Sequence, residues 1–484
     1  MAVKIIVLTA YALMIIIIGI IGMRKTNSFS DFFLGGGNVG PWMTAFSYGT
    51  AYFSAVVFIG FAGKVGWGFG FSGIWIGVFN AVVGVLGVWA IMGWKIKKMS
   101  IEYGVSTLSE FLEKRYDSKF LKIASSVAIF VFLVPYSAAV FIGLSKLFEA
   151  SFPDIEYWHI VVAMGTFTSI YLVLGGYKSM TMIDTVFGMI MTASVIVLVF
   201  FTLNKGNGIV SITETLSNIN PKLTEVVGPP GWWPLFSLIF LTSVAPFAMP
   251  QLIQKFYAIK DKKSIKIGMV ASTFFALLIG CIAYFIGSTS RVFLNPGNAP
   301  LTFPAGDASA FDPDAVMPEL LNMVVPESLT IIILILILSA SMSTLAALVL
   351  ISSSSVVKDF YAGFINKNVS DKGLMSLMRV GSLLFVLVSV IIALIKPDSI
   401  VAILGISWGA IGSFFLGPFV WGLFNKKMNK LGAISSAMLG LIVCVGLFII
   451  WGPKSSPQAG TVGMLVSLAV NPMFSFVSNK IQKK

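Results

Sequence analysis

The stretch TAFSYGTAYFSAVVFIGFAGKVGWGFG, residues Thr44–Gly70, is long enough to span a membrane and places small and hydroxyl-bearing residues around Gly49. A second apolar stretch, LTSVAPFAMPQLIQK at Leu241–Lys255, contains Pro246 and Pro250. Glycine or proline interruptions in corresponding spans of two halves are typical of discontinuous helices around a midplane site. The two stretches therefore predict two broken transmembrane helices.

The composition of the whole chain is that of a membrane protein. Of its 484 residues, 57% are hydrophobic and only 11% are charged, whereas about a quarter are charged in soluble domains. Apolar stretches of about 20 residues, enough to cross a hydrocarbon core of about 30 Å, recur along the whole length. No polar block is long enough for a separate soluble domain, so we expect one polytopic domain in a lipid bilayer.

The apolar stretches predict thirteen spans, and the two breaks fall in the second and the seventh. The predicted spans are 5–23, 41–70, 71–93, 123–150, 158–177, 181–203, 232–254, 267–290, 328–356, 376–395, 399–423, 431–451 and 461–478. Counting from each break gives units of five spans, and an odd number forces the two units into opposite orientations. We therefore expect an all-α polytopic membrane protein with about 13 transmembrane helices and a five-plus-five inverted-repeat (LeuT-like) core.

This interpretation divides the single transporter domain, 1–484, into four parts. Residues 1–40 form the first span and its loop, 41–203 the first repeat, 232–424 the second repeat, and 425–484 two further spans and the tail. A net charge of +13 arises mostly from short basic loops such as 95–122, 255–266 and 358–379. The positive-inside rule then predicts a multi-pass cell-membrane protein with its N-terminus outside and its C-terminus in the cytoplasm. Because this topology accounts for the positive charge, we expect no nucleic-acid partner. The longest predicted outside loop, 291–327, is acidic.

Enzymatic chemistry has no support in the sequence. Cys281 and Cys444 both lie in apolar spans, and His159 is the only histidine. There is no phosphate-binding loop, paired-histidine metal motif or nucleophile elbow. We therefore predict that the protein is not an enzyme.

The ninth predicted span contains SASMSTLAALVLISSSS, Ser339–Ser355, in which hydroxyl groups are unusually frequent for a lipid-soluble helix. Serines in membrane helices commonly return their hydroxyl to the carbonyl three or four residues back, and we expect this for residues 352–355. Ser343 and Thr344 differ because Ala340 lies one turn before them, which would let another helix approach. Two hydroxyls, one helix carbonyl and two carbonyls freed in a facing broken helix would give a monovalent cation five oxygens.

Five ordered segments resemble the sodium:solute symporter family, including its proline, pantothenate and monocarboxylate permease branches. They are FSDFFLGGGNVGPWMTAFS (29–47), TLSEFLEKRY (107–116), GGYKSMTMIDTVFG (175–188), PQLIQKFYAIKD (250–261) and LSASMSTLAALVLISSSSVVKDFY (338–361). The resemblance implies a thirteen-span transporter with an inverted-repeat core and sodium as its coupling ion. It also implies one sodium bound by the carbonyls of Thr50, Phe53 and Ala340 and the hydroxyls of Ser343 and Thr344.

The resemblance further assigns Asp184, on the inner half of the sixth span, to sodium release or to contact with a second sodium. An ionisable group in a span is a functional candidate; the alternative is an interfacial acid paired with Lys178. Members that bind a second sodium carry hydroxyls where this chain has Ala346 and Ala347. We therefore expect one sodium per cycle.

Departures from the proline branch concern the substrate. Tyr52 stands where that branch carries an aspartate, and Thr242 and Pro246 replace its tryptophan and tyrosine. These differences argue against strict proline transport. The stretch GTAYFSAVVFIG (49–60), rich in small and hydroxyl residues and without that aspartate, looks closer to the pantothenate and monocarboxylate branch.

Substrate contacts are expected from the unwound middles of spans two and seven and from aromatic walls. The candidates are Tyr52, Ser54, Tyr136, Phe247, Gln251 and Trp408. Gln251 and Lys255 could face an anionic substrate, although Lys255 also suits a topology anchor at the cytoplasmic surface.

The sequence thus predicts a sodium-coupled secondary active symporter that imports a small hydrophilic organic solute, an amino acid or a carboxylate such as pantothenate or a monocarboxylate. One alternative is a proton-coupled symporter of the same fold, with Asp184 carrying the proton. Another is a substrate-sensing membrane receptor, although the tail after about residue 478 is too short for a signalling module. The oligomeric state stays open.

Overall fold

The computed structural model describes residues 2–26 and 28–481, and its regular structure is helical. The α-helices are α1 Ala2–Arg24, α2 Phe29–Leu34, α3 Pro41–Tyr52, α4 Ala62–Phe69, α5 Ile74–Phe79, α6 Trp94–Tyr103, α7 Leu108–Tyr116, α8 Lys119–Ser151, α9 Tyr157–Lys205, α10 Gly208–Ile219, α11 Trp232–Val244, α12 Pro250–Ala258, α13 Lys262–Ser288, α14 Ser290–Phe293, α15 Val316–Val324, α16 Thr330–Ser354, α17 Asp371–Ile395, α18 Ile400–Phe424, α19 Lys430–Trp451 and α20 Ser456–Ile481. Wider π-helical turns at Val56–Phe61, Asn80–Gly93 and Ser355–Ile365 continue several of them.

Both predicted helix breaks are present. α11 ends at Val244, and a tight turn through Pro246 precedes α12, which begins at Pro250. Proline is suited to the first position of a helix because it lacks the amide hydrogen that would have no partner there. The second break follows Tyr52, where Phe53 leaves the helical region with φ −98° and ψ 89°.

The break in the second predicted span does not fall at Gly49 but four residues later, at Phe53. Gly49 lies inside α3, and a Cβ at this position would overlap the ring of Phe275 on α13. The glycine therefore permits close packing of the two helices, whereas the interruption itself has no proline or glycine.

Eleven helical segments among the described residues are long and apolar enough to cross a membrane. One of them, Val56–Tyr103, runs for 48 residues and covers the outer half of the second predicted span together with the third. Within α9 the chain turns at Gly176, which has φ 59° and ψ −173°, so two helices meet there. The count of thirteen spans stays a prediction.

Segments predicted to lie on one side of the membrane do contact one another. Val39 exchanges backbone hydrogen bonds with Ala258 and Lys260, both at 3.0 Å, and Lys97 Nζ donates to the Tyr257 carbonyl at 3.0 Å. We call this side, formed by residues 28–40, 95–122, 256–266 and 358–379, the basic face. At the opposite end, the acidic segment 291–327 packs on the helices: Asp314 accepts a hydrogen bond from the Ile400 amide at 3.1 Å.

Candidate functional site

The break in α3 lies against the middle of α16, where the hydroxyl-rich stretch begins. Ser343 Oγ donates a hydrogen bond to Thr50 Oγ1 at 2.7 Å. Thr344 Oγ1 lies 3.1 Å from the Ala340 carbonyl and 3.3 Å from the carbonyls of Thr50 and Ala51. Five oxygen-bearing residues from two helices therefore converge, all of them buried.

Phe53 contributes a carbonyl that has left the helical pattern. In an unbroken helix this oxygen would accept from the amide of Val57, but that amide donates to the Ser54 carbonyl at 3.0 Å instead. The carbonyl is therefore released at the end of α3, on the turn that follows Thr50.

The chemistry of this oxygen cluster suits a sodium ion. Its members are neutral hydroxyls and carbonyls, which bind a hard monovalent cation and have no proton to exchange near neutral pH. Four predicted ligand residues, Thr50, Ala340, Ser343 and Thr344, are in mutual contact, and Phe53 is adjacent on the same break. Ala51 was not predicted, because only the three-dimensional contact brings its carbonyl to Thr344.

A buried pair of opposite charges lies on the basic-face side of this cluster. Lys255 Nζ donates to Ser47 Oγ at 2.7 Å, and Ser47 Oγ donates to Asp184 Oδ2. All three side chains are buried, and Lys255 and Asp184 are fully so. Ser343 lies beside the Asp184 carboxyl group, which connects this pair to the oxygen cluster.

These contacts correct two sequence interpretations. Lys178 is not the partner of Asp184, because its ammonium pairs with Asp31 at 2.6 Å. Lys255 is not an interfacial anchor, because its side chain has no exposed surface and points to Ser47. Asp184 Oδ1 has no hydrogen-bond partner among the described residues, so part of this carboxylate is available to a cation.

A small cavity lies on the other side of the α3 break. Four of the six predicted substrate residues line it: Tyr52, Ser54, Tyr136 and Trp408. The Trp408 ring contacts those of Tyr136 and Tyr52, with centroids 5.7 and 5.9 Å apart. Only about 10 Å³ is left for the centre of a water molecule, which is roughly room for one water.

Phe247 and Gln251 do not line this cavity. The Phe247 ring lies against Gly87. Gln251 is buried at the start of α12, and its Oε1 has no hydrogen-bond partner in the described part of the chain. The seventh span therefore contributes Thr242, in the last turn of α11 before the break, to the cavity wall rather than these two residues.

Sequence reasoning missed Ser47, Asn80 and Tyr284. Asn80 Oδ1 accepts hydrogen bonds from Thr242 at 2.8 Å and Ser243 at 2.9 Å. Tyr284 lines the same cavity, and its buried hydroxyl has no partner among the described residues. An asparagine inside an apolar span was a usable signal, whereas Ser47 and Tyr284 resemble ordinary packing residues until their neighbours are known.

The remaining serines of the ninth span mostly behave as expected. Ser353, Ser354 and Ser355 donate to carbonyls three or four residues back, at 2.6 to 2.8 Å. Ser352 is the exception, because its buried hydroxyl has no partner among the described residues. The hydroxyl-rich stretch thus contains two groups, one facing α3 and one that mainly satisfies its own helix.

Known proteins resemble this chain over most of its length. The high-affinity proline transporter PutP of Bacillus subtilis (strain 168) is 28% identical over 451 residues, covering 90% of this chain and 89% of that protein. The sodium/proline symporter of Haemophilus influenzae (strain Rd) is 29% identical over 454 residues, covering 91% and 87%.

A solved structure supports the architecture. A Na⁺-coupled sialic acid symporter in a substrate-bound outward-open state superposes with a TM-score of 0.80 at 18% identity, covering 98% of both chains. At that identity the likeness establishes the fold alone, an all-α inverted-repeat architecture. The model of the sodium:solute symporter family matches residues 32–440, and the chain therefore belongs to the sodium:solute symporter family, whose coupling ion is sodium.

Proposed function

We propose that this sodium-coupled symporter imports a small zwitterionic amino acid, with proline as the first candidate, together with one sodium ion per cycle. The observation that carries the proposal is the shared break in α3. Phe53 ends the helix beside the proposed sodium ligands, and Ser54, the next residue, lines the solute cavity. Ion and solute would therefore bind to opposite sides of one unwound turn.

The charge of the cavity wall favours a zwitterion over an anion. None of its lining residues in the described part of the chain carries a formal charge, and Lys255 is engaged by Ser47 and lies outside the wall. A pantothenate or monocarboxylate ion would bring a net negative charge into a buried space whose wall offers no cation, so the sodium ion alone would have to compensate it. A zwitterion brings its own positive charge, and its carboxylate would lie close to the sodium ion.

Proline is the first candidate because two similar proteins, at 28 and 29% identity, are named as proline transporters. Pantothenate or a monocarboxylate is the second candidate, because Tyr52, Thr242 and Pro246 depart from the proline branch and the stretch 49–60 resembles the other branch. Either solute is far larger than the present cavity, so the walls must part before it binds. This requirement fits alternating access, in which one repeat rocks against the other around a central site.

Coupling follows from linkage between the two ligands. Sodium would replace the Ser343–Thr50 hydrogen bond and hold the broken end of α3 in a fixed geometry. The turn at Ser54 would then already be ordered when the solute binds, which raises the affinity for the solute. Reciprocity requires that each ligand raise the affinity for the other by the same factor, typically about 5–150-fold.

We assign Asp184 to sodium release towards the basic face. Its Oδ1 has no partner among the described residues, and Ser343 lies beside the carboxyl group, so the ion could pass from the hydroxyls to the carboxylate. Lys255 would compensate the carboxylate once the ion has left. The proton-coupled alternative would use Asp184 instead, because the oxygen cluster has no titratable group.

The proposed location is the cell membrane, with the basic face in the cytoplasm, the N-terminus outside and the C-terminus inside. Two observations support this location. Basic residues such as Lys97 and Lys358 contact neighbouring segments on one side of the molecule, and the positive-inside rule assigns the side with such residues to the cytoplasm.

The test is thermal denaturation of the detergent-purified protein in sodium against potassium, with proline, pantothenate, short monocarboxylates, sialic acid and hexoses. A ligand specific to the folded state stabilises it by RT ln(1 + [L]/Kd), about 2.7 kcal/mol at 100-fold excess over Kd. We expect a sodium-specific rise in melting temperature that proline enlarges. A response to pH with no sodium effect would support proton coupling through Asp184 instead.

Uptake into proteoliposomes separates a transporter from a receptor. A symporter accumulates labelled solute only when a sodium gradient is imposed, and collapse of that gradient ends accumulation. Sodium-dependent binding with no accumulation would contradict the transport proposal and favour the receptor.

A further inference from the structure

A groove of about 640 Å³ opens on the membrane-facing side of the molecule between α3, α9 and α13. Its outer edges are Trp42, Val270 and Phe274, whose side chains are more than half exposed. Its floor includes Phe46 and Phe275. This groove belongs neither to the oxygen cluster nor to the solute cavity.

The groove has the length of one membrane leaflet. Along α13 its lining extends from Lys266 to Leu278, which is about 18 Å at a rise of about 1.5 Å per residue. That distance is a little more than half of a hydrocarbon core of about 30 Å. A single acyl chain lying along α13 would fill it.

Charge is confined to one end. Lys266, at the basic-face end of the groove, is its only charged lining residue in the described chain. Lys262 and Lys263 precede it by about one turn at the start of α13. Trp42, next to the first residue of α3, lies at the same end, where tryptophan suits the membrane–water interface.

We propose that this groove binds an anionic glycerophospholipid, with one acyl chain along α13 and the phosphate-bearing headgroup at Lys266. Acyl chains alone would fit any apolar helix surface. The concave shape, the leaflet-long extent and the cation at the headgroup end together favour a negatively charged lipid over a zwitterionic one.

The groove is separated from the α3 break by one layer of aromatic rings. Phe46 packs edge-on against Phe275 at 5.9 Å, and Phe275 packs against Phe53 at 6.4 Å. A Cβ at Gly188 would overlap Phe46, so that ring is held in a notch on α9. A bound acyl chain presses on Phe46 and Phe275 and holds α3 against α9 and α13.

The experiment measures lipid binding by native mass spectrometry and thermal denaturation in detergent, with phosphatidylglycerol against phosphatidylcholine of the same chains. We expect phosphatidylglycerol to bind more tightly and to raise the melting temperature more. Lys266→Gln should weaken its binding about fivefold, which corresponds to about 1 kcal/mol per basic residue near a lipid surface. Ala271→Trp, which fills the groove, should abolish the preference.

Two matched variants control for general surface effects. Lys262→Gln removes a cation one turn earlier on α13, whose ammonium lies 6.0 Å from the Trp94 ring and does not line the groove. Val380→Trp enlarges an exposed apolar position on α17. Both should keep the preference for phosphatidylglycerol.

A photoreactive phosphatidylglycerol supplies a readout that does not depend on stability. Cross-links should fall within residues 266–278 and disappear in Ala271→Trp, or in the milder Ala271→Leu if the tryptophan variant does not fold. Equal binding of phosphatidylcholine, or cross-links spread over α17 and α19 as well, would overturn the proposal. Neither result requires sodium or solute, so the outcome is separate from that of the transport proposal.

Discussion

The hydroxyl of Ser343 on α16 donates a hydrogen bond to the hydroxyl of Thr50 on α3, across 2.7 Å. The Thr50 hydroxyl in turn donates to the Phe46 carbonyl at 2.8 Å. These hydrogen bonds join α3 to α16 at a point where both side chains are buried. In our proposal, sodium replaces this hydrogen bond between the two helices, so removing either residue should weaken sodium binding.

Ser343→Ala and Thr344→Ala should each raise the sodium concentration needed for half-maximal stabilisation by about ten- to a hundredfold. The reason is that a hydrogen bond or contact to a charged group is worth about 1.5–3 kcal/mol. Sodium titrations followed by thermal denaturation measure this shift. Ser353→Ala is the control, because the Ser353 hydroxyl does not face α3 and instead forms a 2.9 Å hydrogen bond with Ser382. An equal shift in this variant would mean that Ser343 and Thr344 do not form the sodium site.

Lys255→Met should destabilise the sodium-free protein by about 3–5 kcal/mol, because it leaves the Asp184 charge buried without compensation. Asp184→Asn should destabilise it as well, and the double variant should be more stable than the sum of the two losses predicts. Denaturation in potassium buffer provides the double-mutant cycle. Strict additivity would mean that the two charges do not interact through Ser47.

Tyr284→Phe should act in opposite directions on stability and on solute binding. Removing a buried hydroxyl that has no partner among the described residues should leave the free protein equally or more stable. The solute loses one neutral hydrogen bond, about 0.5–1.5 kcal/mol, so its affinity should fall about 2–12-fold.

Tyr48→Phe is the matched variant for that test. Its hydroxyl donates to the Gly84 carbonyl at 3.1 Å, outside the cavity wall. We expect lower stability with unchanged solute affinity, measured by calorimetry in saturating sodium. If Tyr48→Phe lowered solute affinity and Tyr284→Phe did not, the solute would not bind beside Tyr284.

Acidification should tighten the acidic segment 291–327 rather than loosen it. Burial, followed by the nearby Asp312 charge, raises the pKa of Asp314 to about 6, against the opposing effects of the Ile400 amide hydrogen bond, Lys396 and Lys64. A raised pKa means that the packed state holds the proton more tightly than the unpacked state. Packing is therefore most favoured below about pH 4 and weakens as pH rises through about 6.

Hydrogen exchange of the Ile400 amide at pH 5.5 and 7.5, corrected for intrinsic rates, measures this response. Asp314→Asn keeps an acceptor for that amide but cannot ionise, so it should show acid-like protection at both values. Greater protection of the Ile400 amide at pH 7.5 than at pH 5.5 in the unaltered protein would contradict the predicted pH dependence of packing.

Local sequence features predicted the elements that local chemistry controls. Hydropathy located the apolar spans, and Pro246 with Pro250 marked the seventh-span break because each proline lacks a backbone amide hydrogen and its ring crowds the preceding turn. Phe53 shows the limit of this reasoning. Its break has no proline or glycine, and the glycine that suggested it, Gly49, instead accommodates Phe275.

The sequence by itself determined that this is a multi-pass helical transporter and that two spans are broken, and it predicts Thr50, Ser343 and Thr344 as sodium ligands. Tertiary structure alone decided that Lys255 lies by Ser47 and Asp184, that Lys178 pairs with Asp31, and that Phe247 and Gln251 stay outside the cavity. The physical reason is range: helix formation and membrane insertion depend on neighbouring residues, whereas the partner of a buried charge depends on which distant helix packs against it.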